Sequence, residues 1–119
     1  MLASLIGCGD RAAPGVCTAL FAMIPLTVQS GSGAPVSGLS LSATIVRTGQ
    51  SFAVPQPGAG GPGTYVVFDD TFRDRIRWSG DSALVTGSGA GHFTAGFRFD
   101  VPGGCHVRKL AGPDTVTAS

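Results

Sequence analysis

From His92 to Val101 the chain alternates with a period of two. Phe93, Ala95, Phe97, Phe99 and Val101 fall on one side, and His92, Thr94, Gly96, Arg98 and Asp100 on the other. Successive side chains of a strand point to opposite faces, so this segment can bury one face and wet the other only as a β-strand. The same pattern places Leu20, Ala22, Ile24, Leu26 and Val28 on one face of a first strand. Pro25 offers no amide to a ladder, which predicts an edge position or a bulge there. Leu39, Leu41, Ala43 and Ile45 alternate with Ser40, Ser42 and Thr44 as a half-buried strand, and Thr64 to Phe68 form a short apolar one. Ile76 and Trp78 are expected in the next strand, and the stretch from Cys105-His106-Val107 to Val116 is expected to close the sheet. Gly31 to Pro35 reads as a turn, and the Pro/Gly run from Pro55 to Gly63 as a loop that no regular element tolerates. No window of useful length has helical periodicity. These features predict a single all-β domain, a sandwich of about seven strands.

Composition narrows the function classes. A chain of 119 residues can bury a real core. Charged residues are only 13%, with 19 Gly and 8 Pro, yet a hydrophobic share of 43% argues against disorder. The net charge is +1, and basic residues cluster only at Arg73, Arg75 and Arg77, so no nucleic-acid surface is expected. No segment reaches the roughly 18 apolar residues that a spanning helix needs.

The N-terminus carries a second signal. Leu5-Ile6-Gly7-Cys8 resembles the lipobox that ends a bacterial lipoprotein signal, with Leu three positions before Cys8 and a small residue directly before it. Gly9 to Gly15 then supplies a polar, flexible tether. Seven residues without Lys or Arg precede Cys8, short of the basic start and apolar stretch of a secretory signal. Either the start lies upstream or the match is coincidental. The expectation is a truncated lipoprotein signal and tether over 1–16 and a β-sandwich domain over 17–119, lipidated at Cys8 and held at the outer side of a bacterial membrane.

Cys17, Leu26-Thr27-Val28, Gly33-Ala34-Pro35-Val36, Gly63-Thr64-Tyr65-Val66-Val67 and Cys105-His106-Val107 follow one another in an order that resembles the carboxypeptidase regulatory-like (transthyretin-like) domains of bacterial lipoproteins. The resemblance covers roughly residues 17–118. It implies an immunoglobulin-like, Greek-key sandwich with no chemistry of its own, a Gly-Xaa-Pro turn joining the first two strands, and a Gly-Xaa-Tyr segment starting a central strand. The chain departs from that pattern in the loop at 55–63 and in Gly87 to Gly91. The resemblance also implies that Cys17 and Cys105 approach at one end of the sandwich. Export would let them pair as a disulfide, and lipidation of Cys8 would resolve the odd cysteine count. Two buried free thiols are the competing reading.

Several motifs suggest chemistry. Gly80-Asp81-Ser82-Ala83-Leu84 is similar to the block of GDSL-type esterases, in which Ser82 would be the nucleophile. That role needs a histidine base oriented by a carboxylate, and neither His92 nor His106 has the family's Asp-Xaa-Xaa-His spacing, so a polar hairpin turn is the preferred reading. Gly58 to Gly63 satisfies a dinucleotide-binding Gly-Xaa-Gly-Xaa-Xaa-Gly pattern but is followed by a strand rather than a helix, and no cofactor is expected. His92, Cys105 and His106 lack zinc spacings, and Cys105 and His106 would point to opposite faces of a strand. Asp69, Asp70, Asp74 and Asp81 could serve calcium, but Arg73, Arg75 and Arg77 between them favour solvated ion pairs. Trp78 is either core or an exposed stacking surface. Two functions follow: a non-catalytic tethered binding or structural module with a protein or glycan partner, or a small hydrolase or ligand carrier with a pocket near Ser82. A fragment of a larger protein is the remaining case.

Overall fold

Alternation becomes a two-sheet sandwich in the computed structural model, which describes residue 17 and residues 21–55 and 61–119. Eight strands lie among the described residues: β1 (Met23–Gln29), β2 (Ser40–Ile45), β3 (Ser51–Val54), β4 (Thr64–Asp69), β5 (Asp81–Ser88), β6 (Phe93–Asp100), β7 (Arg108–Ala111) and β8 (Thr115–Thr117). One sheet has the order β4-β1-β8 and the other the order β3-β2-β5-β6-β7. Every neighbouring pair is antiparallel except β1 and β8. The protein is thus an all-β sandwich.

The apolar residue sets identified for β1, β2 and β6 face the gap between the sheets. Ile24, Leu26 and Val28, then Leu39, Leu41, Ala43 and Ile45, then Ala95, Phe97, Phe99 and Val101 are buried. Each large aliphatic or aromatic side chain removed from water contributes about 1.5–3 kcal/mol. Phe68 lies at the aromatic centre, with ring centroids 4.5 Å from Phe99 and 5.7 Å from Phe97. Tyr65 is fully buried with its hydroxyl satisfied: it donates to Val36 O at 3.0 Å and accepts from Leu39 N at 3.1 Å. It therefore ties β4 to the β1–β2 connection.

Pro25 sits at a bulge. Ile24 pairs with Phe68 and Pro25 with Val66, so Val67 is the extra residue on β4. That insertion turns the consecutive residues Val67 and Phe68 both toward the core. β8 meets β1 only from Thr27 onward, so Pro25 has no β8 residue opposite it.

Four expectations are corrected. Ile76 and Trp78 belong to no strand; a 3-10 helix, Asp70–Arg75, fills the segment, with Asp69 accepting from Thr71 N at its start. Gly80 to Leu84 is no hairpin turn, because Asp81 opens β5, which is paired on both sides. Its Gly87 is required by close approach: a Cβ there would lie 2.3 Å from Phe93 Cε1 on the paired strand. Ser51–Val54, expected in no element, forms the outer strand β3. The segment opened by Gly63-Thr64-Tyr65 lies at the edge of its sheet rather than at the centre.

Candidate functional site

Two places on the sandwich concentrate polar or accessible features. The first is the end where the chain enters β1. A disulfide joins Cys17 to Cys105 there, with Cα atoms 5.4 Å apart, inside the range such bridges adopt. Cys105 follows a short 3-10 turn, Pro102–Gly104, rather than standing in a strand, so the opposite-face expectation for Cys105 and His106 does not apply. Beside the bridge, Asp70 is buried, yet both its oxygens are used. Oδ2 accepts from Ala22 N at 2.9 Å and contacts His106 Nδ1 at 2.6 Å, and Oδ1 accepts from Val107 N at 2.8 Å. Burial pushes the carboxyl up, but the bonds from Ala22, His106 and Val107 outweigh it and hold the group below the usual carboxylate range.

Arg73 and Trp78 complete this end. Arg73 Nη1 donates to Cys105 O at 2.9 Å, and Trp78 Nε1 donates to Arg73 O at 2.7 Å. Trp78 is 43% exposed and stands outside the core, which answers the core-or-surface question as surface. One ring face lies against Gly104, where a Cβ would be 2.4 Å from Trp78 Cζ3 and φ is +74°. Glycine is the residue that fits both demands.

Asp81 repeats the Asp70 arrangement at the start of β5. Its Oδ2 accepts from Arg47 Nη2 at 2.8 Å and Arg77 N at 3.1 Å, and Oδ1 from Ser82 N at 3.1 Å. Here too burial raises the carboxyl, and the Arg47 hydrogen bond with the two amides brings it down. The expected solvated pairing of these aspartates with Arg73, Arg75 and Arg77 is therefore corrected: Asp70 and Asp81 are buried clamps that reach distant segments. Among the described residues, no group of three or more His, Cys, Asp or Glu side chains could hold a metal ion.

The motif residues are dispersed. Ser82 alternates with buried Asp81 and Ala83, and Arg98 Nη1 donates to its Oγ at 3.3 Å. His92 precedes β6, six residues from Arg98, or about 20 Å along a strand. His106 is held by Asp70. Cys8 and most of the Gly58 to Gly63 pattern lie outside the described residues.

The second place is a groove of about 480 Å³ between the outer strands β3 and β4, floored by Phe52, Phe68 and Phe72. Phe72 stands edge-on to Phe52 at 5.2 Å and to Phe68 at 5.4 Å, so the aromatic core continues outward into it. Arg75 covers its rim, with the guanidinium carbon 4.7 Å from the Phe52 ring centroid. Sequence reasoning missed this groove because β3 is four residues long and stops at Pro55. The alternation of Phe52 and Val54 with Ser51 and Ala53 was the available signal.

No family model, curated protein or solved structure matches the chain.

Proposed function

We propose that the chain is a non-catalytic β-sandwich lipoprotein, tethered through Cys8 on the extracytoplasmic side of a bacterial membrane and acting as a binding or structural module. The observation that carries this reading is the Cys17–Cys105 bridge. It accounts for two of the sequence's three cysteines and leaves Cys8, in its lipobox-like setting, as the third. Disulfides persist in oxidising compartments, and such a compartment is where a lipobox would deliver the domain. The bridge also secures the domain where the chain arrives from its tether, so pull on the tether meets a covalent crosslink before it meets β1. The resemblance to carboxypeptidase regulatory-like domains points the same way. The dispersal of Ser82, His92 and His106 supports a module without acyl-transfer chemistry, which needs nucleophile and base within hydrogen-bond reach.

Metabolic labelling with radioactive palmitate tests the anchor. The full-length gene product is expected to incorporate label in a Cys8-dependent way, with Cys8→Ser unlabelled and released from the membrane fraction. Equal labelling of both proteins would refute it.

A further inference from the structure

We infer that the groove between β3 and β4 docks an extended polypeptide segment, which adds as a strand beside β4 and brings a carboxylate to Arg75. This deepens the binding-module reading above and rests on it.

Three observations lead to this assignment. The first is the contrast among the outer strands. Natural sheets blunt their edges with Lys, Arg, Pro or short length, because unpaired amides and carbonyls recruit other chains. β7 carries Arg108 and Lys109, β8 has three residues, and β3 has four and is followed by Pro55. β4 has six residues, Thr-Tyr-Val-Val-Phe-Asp, with no basic residue and no proline. It is the longest edge strand among the described residues, and Val67 is its one bulged position.

The second is what lies beside that edge. Strand addition gains affinity from main-chain hydrogen bonds and specificity from pockets that take alternate side chains. Phe52, Val54, Val66 and Phe72 line the groove along β4 and offer an apolar surface to every second residue of an added strand.

The third is charge. Arg47, Arg108 and Lys109 each pair with a carboxylate, while Arg73 donates to Cys105 O and Arg98 to Ser82 Oγ. Arg75 is exposed, stacked on Phe52 and without a carboxylate partner among the described residues. Asp69, the acid nearest the groove, accepts from Thr71 instead. A guanidinium fixed on an aromatic face presents its donors in a planar fork suited to a carboxylate. The occupant is therefore an apolar, β-forming segment with an acidic side chain or a free C-terminus at the Arg75 end.

Amide chemical-shift titration of the full chain, disulfide formed, tests this with four synthetic heptapeptides. Each alternates Val and Thr, is amidated, and ends in Asp, Glu, Asn or Lys. The Asp and Glu peptides are expected to shift Thr64 to Asp69 and the Arg75 side-chain resonance, and to slow exchange of β4 amides. The Asn peptide should bind about tenfold more weakly and the Lys peptide weaker still, as for loss of one charge-assisted bond. Arg75→Gln should erase the preference for acids while preserving the remaining spectrum, and Val66→Lys should abolish β4 shifts by guarding the edge. No β4 shift with any peptide at about 1 mM, the weak end of the affinity scale, would overturn the proposal. So would shifts centred on β7, or equal binding of the Asp and Lys peptides. Shifts of β4 that grow with protein concentration alone would assign the edge to a second copy and equally overturn it. Palmitate labelling of Cys8 is read separately, so failure here and failure of the tethered reading are distinguishable.

Discussion

Asp70 shows how much one side chain can organise. Its carboxylate gathers the amide before β1, the amide before β7 and the ring of His106, three groups from opposite ends of the sequence. Hydrogen bonds to a charged acceptor contribute about 1.5–3 kcal/mol each, and a buried acceptor removed leaves its donors unsatisfied. Asp70→Asn is therefore expected to lower stability by about 2–3 kcal/mol at pH 7. The sign of its pH dependence follows from linkage. The folded carboxyl lies below the ordinary value, so its contribution is fully present above the unfolded value, about pH 3.9, and fades as pH falls through the lower folded value. Urea unfolding from pH 7 to pH 2.5 should show wild-type stability dropping more steeply below about pH 4 than that of Asp70→Asn, and the two should converge. Parallel curves would show that Asp70 is not held ionised by these bonds. The residue was visible in the sequence, but its role was not. An aspartate among arginines reads as a solvated ion pair, and only the fold reveals that its partners lie 36, 37 and 48 positions away.

At the scale of elements, legibility followed the contrast between alternating faces. β2 and β6 set apolar residues against Ser, Thr, Gly and Arg, and β1 sets Ile24, Leu26 and Val28 against Met23, Pro25, Thr27 and Gln29, so their buried faces were readable directly. β5 was not, because its inward residues Asp81, Ala83 and Gly87 are small or polar positions that resemble turn chemistry, with only Val85 among them a strand former. Asp81 is tolerated inside because Arg47 and two amides satisfy it, and Gly87 because Phe93 fills its space. The 3-10 helix was hidden by Ile76 and Trp78, whose spacing mimics a strand, while the Asp69 cap that starts it is a signal a closer reading could have used. β6 carries the sharpest element-scale prediction. Phe97 is 3% exposed and touches Phe68, whereas Arg98 points outward to Ser82. Phe97→Ser should cost at least about 3–5 kcal/mol, enough to unfold a marginal domain, while Arg98→Ser should stay within about 0.5 kcal/mol. Thermal melts in which Arg98→Ser is the more damaging change would mean that the faces of β6 are inverted.

For the molecule as a whole, the bridge between Cys17 and Cys105 spans 88 positions and closes nearly the entire domain into one loop. A loop of that size restricts the unfolded chain enough to contribute about 4–5 kcal/mol in the chain-entropy model. Replacing both cysteines with serine should lower the melting temperature by well over ten degrees, with the strand content of the folded state retained at low temperature. An unchanged melting temperature would mean that the sandwich holds this end closed through Asp70, Arg73 and Trp78 alone. The sequence made the pairing legible through position and count. The groove beside β4 was not legible, because it arises where two edge strands from different sheets come side by side, a relation that alternation within each strand does not encode.

Non-reducing peptide mass spectrometry decides whether the chain is an exported sandwich closed by one disulfide and tethered by the remaining cysteine. The sample is the protein recovered from membranes of cells that express the full gene. A crosslinked peptide pair containing Cys17 and Cys105 is expected, with an N-terminal peptide that begins at Cys8 and carries diacylglycerol. Alkylated free thiols at Cys17 and Cys105, together with an unmodified Cys8 still joined to the residues before it, would contradict it.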